Sequence, residues 1–344
     1  MSETIPLGIV GFGRIVELIH LPLLKQLPRI EVAGVFDVTP QRLALAAKRG
    51  FDIFERLEDL LSSPAEAVLI ATPPNSHFRL AEQALRSGKH VLIEKPVTLS
   101  SEEAVRLQTI AEQEGKIVSV FHNRRFDSDF LLVKQMINEE ALGSILFVER
   151  RHHMFGSGAS FGVKSFHQEW RNEKAYGGGA LLDWGIHLID QLLQLDFGRC
   201  VDINASMKTL SWEQGEVDDY VRATFTTERN VVMSMDINFA SNVPAPLWVV
   251  GGDKATLQIV SEREASVHVK GKPTQPIMLE PSLNKGAIRI YSSFADSVRY
   301  GAKPEVTLEE AIEAMKIVEW IRLSSLNRQE MENGNLICRP AVRV

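Results

Sequence analysis

One short stretch of the sequence places three ionisable side chains at helical spacing inside an apolar run. Residues 177–192 read GGGALLDWGIHLIDQL, in which Asp183, His187 and Asp190 stand at positions i, i+4 and i+7. At 3.6 residues per turn, the three fall within an arc of about 60° on one helix face. Buried carboxylates and imidazoles need partners or a purpose. An imidazole, with an ordinary pKa of about 6.5, suits proton transfer near neutral pH.

The length and composition of the chain indicate the kind of molecule that carries this helix. With 344 residues, the chain exceeds one ordinary hydrophobic core, so we expect two domains. It is 44% hydrophobic and 24% charged, as is typical of globular proteins. The net charge of −6 argues against general nucleic-acid binding.

The sequence carries no signal for export or membrane insertion. The first residues, MSETIPLGIV, have no signal-peptide pattern, and no apolar run approaches about 18 residues. Cys200 and Cys338 are far apart, so we expect neither a disulfide framework nor a cysteine-based zinc site. These features favour a cytoplasmic protein with no membrane partner.

The first third of the chain alternates buried strand patterns with helical patterns. The strand patterns are IPLGIV, IEVAGVFD, AVLIAT, KHVLIE and KIVSVF. Helical stretches such as SEEAVRLQTIAEQEGK separate them, and Gly115 is a helix stop before the last strand. This alternation predicts a doubly wound parallel sheet, which we assign to a domain spanning residues 1–123.

The pattern changes after residue 124. A helix is predicted over 127–138 and a strand over 145–152, before the glycine-rich stretch. Short β-branched runs follow, namely VDINASMKTL, DYVRATFTT, NVVMSMDINFA, LWVVGG, ATLQIV and ASVHVKG. Helices around 287–300 and 307–326 close the chain, and Thr307 with Glu310 forms a capping box for the second. Residues 124–344 are therefore predicted to form a second α/β domain, whose mostly antiparallel sheet has one face covered by helices.

The first strand runs into a glycine motif of the kind that binds dinucleotides. Gly11, Gly13 and Val16 in GIVGFGRIVE occupy the G-x-G-x-x-G/A positions, with Val16 departing from the pattern. The glycines let backbone approach a pyrophosphate, and the helix N-terminus faces its charge. Asp37 ends the next strand, where an acidic residue accepts the ribose hydroxyls and repels a 2′-phosphate, which favours NAD over NADP. Alternatively, Asp37 only stabilises the turn before Thr39-Pro40.

A second loop of the predicted sheet reads ATPPNSH. Ligands of open α/β sheets lie beyond the carboxyl ends of the strands, so Thr72, Pro73 and Asn75 are expected near the cofactor. Asn75 has an alternative interpretation as the cap of the helix that starts near Ser76.

Six motifs occur in the order seen in the Gfo/Idh/MocA oxidoreductases, which the chain resembles over nearly its whole length. They are GFGRI, ATPPNSH, EKP, FHNRRFD, EWR and GGGALLDWGIHLID. The segment FHNRRFDSDFL resembles the subgroup related to scyllo-inositol dehydrogenases. That family is NAD(P)-dependent and acts on sugars, cyclitols and similar polyols. The resemblance implies an N-terminal Rossmann domain and a C-terminal α/β domain with an open-faced sheet.

The resemblance also implies which residues react and which hold the cofactor. It places Lys95 of EKP at the active site, before a proline that is often cis, here Pro96, and carries over Asp183 and His187 as catalytic. The expected cofactor is NAD, with NADP as the alternative. The candidate cofactor-binding residues are Gly11, Phe12, Gly13, Arg14, Ile15, Asp37, Thr72, Pro73, Asn75, His77, Glu94, Lys95, Asn123 and Arg171.

The expected chemistry divides the work among these residues. Oxidising a secondary alcohol removes a hydride, which the nicotinamide takes, and a hydroxyl proton, which a side chain must take. His187 is the expected proton acceptor, and Asp183 orients its ring or hydrogen-bonds a neighbouring substrate hydroxyl. Lys95 donates to the reacting oxygen and stabilises the charge that develops there. Asp190 is expected to make a structural hydrogen bond.

Other polar residues have two interpretations each. Arg171 contacts the cofactor or substrate, or else only solvent. Asn123, Arg124 and Arg125 fall at the domain junction, where we expect one of them, Asn123 or Arg124 before Arg125, to contact the substrate or the nicotinamide ribose. Otherwise this segment forms inter-domain ion pairs. In the pair His152-His153, adjacent strand residues point to opposite faces, so we expect no metal site. Strand ends of this sheet face the cleft in the family, so the resemblance implies that one of the two histidines lines the substrate pocket, and we assign this role to His153. The candidate substrate residues are thus Lys95, Asn123, Arg124, His153, Asp183 and His187.

The sequence therefore predicts an NAD(P)-dependent dehydrogenase of a sugar or cyclitol, without naming the individual polyol. Because the sheet faces of the family pair between subunits, the resemblance implies a homodimer or homotetramer through the C-terminal sheet. Two alternatives are a non-catalytic dinucleotide-binding sensor or regulator and an NAD-assisted glycosidase.

Overall fold

The computed structural model describes residues 4–156, 162–210, 216–282, 284–332 and 342–343. Cys338, which entered the argument against a disulfide framework, lies outside them. The chain divides into two compact units, the first containing residues 1–123, 158–177 and 284–315 and the second residues 124–157, 178–283 and 316–344. The units separate after residue 123, but two later segments group with the first unit, so the second is not one continuous stretch.

Helices and strands are numbered in chain order. The strands are β1 (Ile5–Val10), β2 (Ile30–Phe36), β3 (Ile53–Phe54), β4 (Ala67–Ile70), β5 (His90–Ile93), β6 (Val118–Val120), β7 (Ile145–His153), β8 (Cys200–Lys208), β9 (Tyr220–Thr227), β10 (Val232–Asn238), β11 (Trp248–Gly252), β12 (Thr256–Ile259), β13 (Glu264–His268), β14 (Gln275–Met278) and β15 (Val342–Arg343). The α-helices are α1 (Leu21–Leu24), α2 (Pro40–Lys48), α3 (Leu57–Ser62), α4 (His77–Arg86), α5 (Ser101–Glu114), α6 (Ser128–Asn138), α7 (Ile186–Leu193), α8 (Ile288–Tyr300) and α9 (Leu308–Glu332). Turns of π-helix precede two of them, Val16–His20 before α1 and Leu181–Gly185 before α7.

The first unit is built on a six-stranded parallel sheet in the order β3-β2-β1-β4-β5-β6. Consecutive residues of its strands are buried, as in β4, all four of whose residues are buried. Such continuous burial is expected of a parallel sheet covered on both faces. The predicted doubly wound parallel sheet is thus confirmed. The sheet also contains the short strand β3, whose two residues are too few to give a recognisable strand pattern.

Two predicted helix boundaries in the first unit are confirmed by their caps. Gly115 ends α5 in the left-handed region, at φ 61°. The Thr307 hydroxyl accepts from the Glu310 amide at 3.2 Å, and the Glu310 carboxylate accepts from the Thr307 amide at 3.0 Å. This reciprocal pair is the predicted capping box at the start of α9.

The first unit gathers its polar loops at one edge of the sheet. Gly11 follows β1, Asp37 follows β2, Thr72 lies just beyond β4 and Glu94 follows β5. These four strands are neighbours in the sheet and all run in the same direction. Their loops therefore meet at the carboxyl edge, where open α/β sheets bind ligands.

The second unit contains a nine-stranded sheet in the order β14-β13-β12-β11-β7-β10-β9-β8-β15. Only β7 and β10, among the described strand pairs of this sheet, run parallel, so the predicted mostly antiparallel arrangement is confirmed. Burial alternates along β10, where Met233, Met235 and Ile237 are buried and the residues between them are less so. Strand β14, which contains Pro276 and is largely exposed, was not predicted.

A close approach fixes the helix of the glycine-rich stretch against this sheet. A Cβ atom on Gly185 would lie 3.3 Å from the Ile237 side chain and 2.9 Å from that of Leu181. Glycine therefore lets the helix lie near β10. No helix among the described residues has both the length and the apolar character needed to span a bilayer.

Candidate active site

The glycine loop of the first unit leaves space for a ligand group. Gly11 has φ +90°, and a Cβ there would meet the Ala71 carbonyl oxygen at 2.8 Å, so only glycine fits. A Cβ on Gly13 would meet nothing within 4 Å, and the helix begins at the next residue. The amides of a first helical turn cannot bond within the helix and attract anions. Gly13, Arg14 and Ile15 thus form a cradle that fits the pyrophosphate of a dinucleotide.

Phe12 takes part in this loop through its backbone alone. Its side chain is fully buried and packs against Phe51. Its amide donates to Asp37 Oδ2 at 2.7 Å, and its carbonyl accepts from the Arg42 guanidinium. Phe12 therefore shapes the loop through both of its backbone groups, and the cofactor contact expected of it stays a prediction.

Asp37 has the structural role that was its alternative interpretation, and its carboxylate also retains acceptor sites for a ligand. Its Oδ1 accepts from the Thr39 amide at 2.8 Å and from the Thr39 hydroxyl, while Oδ2 holds the glycine loop through Phe12. A carboxylate has about four acceptor sites. The same group that orders the turn can therefore still accept ribose hydroxyls.

The ATPPNSH loop is held by its own side chains. The Thr72 hydroxyl bonds the Ser76 hydroxyl at 2.6 Å, and Ser76 donates to the Pro73 carbonyl. Asn75 is exposed within a 3₁₀ turn, and neither this turn nor α4 has a side-chain cap. The capping interpretation of Asn75 is therefore not realised.

His77 ties two loops together instead of facing a ligand. Its ring is fully buried, with Nδ1 2.8 Å from the Pro96 carbonyl oxygen and Nε2 2.9 Å from the Thr72 carbonyl oxygen. Burial lowers the pKa of His77, and the two carbonyl oxygens act in the opposite direction. Both ring nitrogens of His77 thus bond backbone carbonyl oxygens, and the cofactor contact expected of this residue stays a prediction.

The EKP segment carries the expected lysine at the end of β5. The Lys95–Pro96 peptide is cis, as the resemblance implied. Lys95 is half-buried, and its amide donates to Glu94 Oε2 at 3.1 Å. Glu94 is buried, and its other oxygen lies 2.9 Å from His20 Nε2. Both Glu94 oxygens therefore bond protein groups, and the cofactor contact expected of Glu94 stays a prediction.

Two further candidates of the first unit are ordered by neighbours. The Asn123 side-chain amide donates to Asn284 Oδ1 at 2.8 Å. The Arg171 guanidinium lies over the Trp170 ring, 4.2 Å from its centre. Such stacking restrains the guanidinium while its edge stays able to donate.

In the second unit, Asp218 anchors the start of the helix that bears Asp183 and His187. Its Oδ2 accepts from the Leu181 amide at 2.7 Å, and its carbonyl accepts from the Ala180 amide at 2.8 Å. Gly179, at φ +105°, makes room, because a Cβ there would lie 2.5 Å from Asp218 Oδ1. Burial raises the pKa of Asp218 to about 6. The glycine-rich entry is thus explained by the close approach of this carboxyl.

The helix that carries Asp183 and His187 departs from the regular α-helical geometry that we expected from the sequence. Leu181–Gly185 form a π turn, in which the Ile186 amide bonds the Leu181 carbonyl, before α7 continues. Because of this π turn, the regular spacing of 3.6 residues per turn does not hold from Asp183 to His187. The angular positions predicted for the ionisable side chains on the helix are altered accordingly. Single π turns of this kind occur frequently at functional sites. His187 is 6% exposed and Asp183 is half-buried.

Asp190 forms a buried ion pair with Arg125. The two Asp190 oxygens accept from Arg125 Nε at 2.8 Å and Nη2 at 2.6 Å, and both residues are buried. The next residue, Gln191, donates to the Arg124 carbonyl at 2.7 Å. The structural role expected for Asp190 is thus the observed one, and α7 is fixed to the segment that follows β6.

Trp184 is the centre of a polar and aromatic cluster on the same helix. His152 stacks on it with ring centres 3.5 Å apart, the Arg124 guanidinium lies 4.9 Å from its centre, and the His187 ring lies 6.0 Å away. Burial, with the nearby Arg150 and Arg124, lowers the pKa of His152 to about 3, while Asp183 acts in the opposite direction. The His152 ring is therefore uncharged near neutral pH.

The structure separates the two neighbouring histidines of β7. His152 pairs with the buried Ile237 and lies on the covered face with Trp184, whereas His153 pairs with Asn238 and has Nε2 3.3 Å from Asp236. His153 thus lies on the opposite face of the sheet from His152, and the substrate role expected of it stays a prediction. Val148 is buried, so the residues of β7 on its face, including His152, are the covered ones. The sequence alone does not determine which of the two faces of β7 is covered.

Among the described residues, no cluster of three or more His, Cys, Asp or Glu side chains is arranged to hold a metal ion. The first unit offers a dinucleotide cradle and Lys95, and the second offers an imidazole and carboxylate on an anchored helix.

The chain matches two family models. Residues 5–122 match the model described as "Oxidoreductase family, NAD-binding Rossmann fold", and residues 130–258 match the "GFO/IDH/MocA C-terminal domain". These ranges correspond to the parallel sheet and to much of the antiparallel sheet.

Several known proteins are similar to the chain over most of its length. An NAD-binding protein from Listeria innocua has 31% identity and a TM-score of 0.83, covering 94% of this chain and 96% of that one. The scyllo-inositol 2-dehydrogenase (NADP+) of Bacillus subtilis is 28% identical over 95% of both chains. The glucose-6-phosphate 3-dehydrogenase of the same organism is 33% identical over 62% of each.

Proposed function

The chain belongs to the Gfo/Idh/MocA family of NAD-binding oxidoreductases, and from this premise we propose that it transfers a hydride between a nicotinamide cofactor and a secondary alcohol of a sugar or cyclitol. The relatives named for an inositol and for a sugar phosphate support this substrate class. The observation that carries the proposal is the anchored helix with His187 and Asp183, in a chain that also has a dinucleotide cradle.

The proposed roles follow the chemistry of alcohol oxidation. The bound nicotinamide supplies the hydride acceptor. His187 takes the hydroxyl proton, because an imidazole can accept a proton near neutral pH. Asp183 orients that ring or accepts from a neighbouring hydroxyl of the polyol. Lys95 donates to the reacting oxygen and lowers the energy of the alkoxide character that develops there.

The cofactor is NAD(P), and we propose NAD as the preferred form. Asp37 lies at the end of β2 and is ordered by Phe12 and Thr39. Its carboxylate accepts ribose hydroxyls and repels a 2′-phosphate. The inositol dehydrogenase relative is linked to NADP, so the comparison of the two cofactors belongs in the same experiment.

The test follows NADH and NADPH formation with a panel of inositols and aldoses. We expect His187→Ala and Lys95→Ala each to lower kcat by about 100- to 10,000-fold, the range for a general acid or base. His268→Ala, which removes an exposed histidine of β13, is the matched control and should retain activity. Activity within a few-fold of wild type in both active-site variants would refute the roles. Cofactor binding without turnover of any polyol would indicate a sensor.

A further inference from the structure

We propose that Tyr291, His20 and Glu94 form a buried hydrogen-bond chain that positions Lys95, so that all three influence the reaction without contacting the reactants. The inference rests on the proposed function, in which Lys95 is catalytic. It concerns side chains of three elements, since His20 ends the first π turn, Glu94 follows β5 and Tyr291 lies in α8.

The contacts of the chain are continuous. The Tyr291 hydroxyl lies 2.8 Å from His20 Nδ1, and His20 Nε2 lies 2.9 Å from Glu94 Oε1. Glu94 Oε2 then accepts from the Lys95 amide at 3.1 Å. Tyr291 and His20 are fully buried and Glu94 is 7% exposed. Each link thus has the length of a normal hydrogen bond in a site that excludes most water.

The chemistry of the groups indicates which atoms of the chain carry the hydrogens. Burial acts to raise the pKa of Glu94, but His20 and Lys95 lower it by more, so Glu94 is a carboxylate that only accepts. His20 Nε2 must then carry a hydrogen and donate it to Glu94, while Nδ1 bonds the Tyr291 hydroxyl. Burial raises the pKa of Tyr291, so its hydroxyl keeps its proton. Glu94 is therefore the acceptor at the end of the chain, receiving bonds from His20 and from the Lys95 amide.

Aromatic packing holds this arrangement in place. The His20 ring lies 4.5 Å from the Phe121 ring and 6.0 Å from the Tyr291 ring, and Phe121 and Tyr291 are 5.8 Å apart. Such surroundings have a low effective dielectric constant, which strengthens a satisfied network and makes an incomplete one unfavourable. The imidazole has one orientation in which both of its nitrogens are satisfied.

The hydrogen-bond chain ends at the backbone amide of Lys95. Glu94 is oriented by His20 on one oxygen and orients the Lys95 amide with the other. If the Tyr291 hydroxyl is removed, His20 Nδ1 loses its hydrogen-bond partner, and the ring no longer defines the carboxylate position. A misplacement of about 1 Å far from the chemistry can lower a rate by about 100-fold. Tyr291, His20 and Glu94 are therefore positioning residues.

The first part of the experiment measures kinetics in the full-length enzyme. We expect Tyr291→Phe and His20→Gln each to lower kcat about 10-fold with the KM for the cofactor changed less than about 2-fold. Because Tyr291 acts through His20, Tyr291→Phe should have no further effect in the His20→Gln background. Ser297→Ala is the control, since it removes another buried hydroxyl of α8, one that donates to the Ser293 carbonyl at 2.8 Å. Multiplicative effects of the two substitutions would overturn the proposal.

The second part does not depend on turnover. Hydrogen–deuterium exchange of the Lys95 amide reports the bond to Glu94, and Pro96 contributes no amide of its own. We expect exchange to accelerate several-fold in Tyr291→Phe and in His20→Gln but not in Ser297→Ala. Unchanged exchange in both variants would overturn the chain. Accelerated exchange in a protein whose wild type oxidises no polyol would support the chain while refuting the proposed function. If His20→Gln does not fold, Glu94→Gln replaces it.

Discussion

At the scale of single residues, the most informative contact is the buried pair of Arg125 and Asp190. The guanidinium and carboxylate meet through two hydrogen bonds of 2.8 and 2.6 Å, and neither residue is more than 6% exposed. The desolvation of both charges offsets much of their attraction, so the pair defines an arrangement more than it adds stability. It locates α7, and hence His187, which lies one turn before Asp190.

We expect asymmetric effects when the pair is broken. Arg125→Met leaves the Asp190 carboxylate buried without its counter-charge and should lower the free energy of unfolding by about 3–5 kcal/mol. The double variant Arg125→Met/Asp190→Leu removes both charges and should regain most of that loss. Urea denaturation measures both values. Equal losses in the single and double variants would contradict a structural ion pair.

At the scale of elements, the helix that carries Asp183 and His187 begins at a carboxyl with a perturbed pKa. Asp218 accepts from the Leu181 amide, and burial raises its pKa from 3.8 to about 6. The folded state therefore binds this proton more tightly than the unfolded state. Its contribution to stability is complete below about pH 4 and is lost as the pH rises through 6. His152, whose pKa is lowered to about 3, acts with the opposite sign.

Asp218→Asn isolates the carboxyl, because the amide oxygen can still accept from Leu181. The difference in unfolding free energy between wild type and variant, measured from pH 4 to pH 7, cancels the contribution of His152. We expect wild type to lose stability relative to the variant as the pH rises, by at most about 3 kcal/mol, since one pKa unit corresponds to about 1.4 kcal/mol. A difference that does not change with pH would show that Asp218 titrates normally.

At the scale of the whole molecule, the second sheet offers a face for self-association. One face of the sheet is buried, whereas Phe147, Val232 and Val249 lie on the other and are half-buried or exposed. We propose that this face pairs with a second copy, giving a homodimer or homotetramer. Burial of such apolar area is the usual driving force for association.

Light scattering coupled to gel filtration tests the association. We expect wild type to have a mass of two or four chains, and Val249→Glu, which places a second carboxylate opposite Glu149, to shift the mass toward one chain. Val105→Glu on α5 is the control, as it charges an exposed valine outside this sheet. A monomeric mass for wild type would refute the proposal.

The local features of the fold could be predicted from the sequence. The strands β1, β2, β4, β5 and β6, the stop at Gly115 and the capping box of Thr307 and Glu310 were all predicted. Each of them depends on hydrophobic periodicity or on hydrogen bonds within a few residues, which the order of side chains specifies directly. The same holds for the glycine loop after β1, whose backbone requirement is local.

Only the tertiary structure decided which polar groups meet. Asp190 bonds Arg125, His20 joins Glu94 to Tyr291, and His152 rather than His153 shares a face with Trp184. The hydrogen-bonded partners are 65 to 271 residues apart in the chain. The π turn at Leu181–Gly185 was likewise not visible, since the periodicity of its residues is that of a helix. Packing decides these features because a buried polar group must find its partner wherever the fold brings one within hydrogen-bond distance.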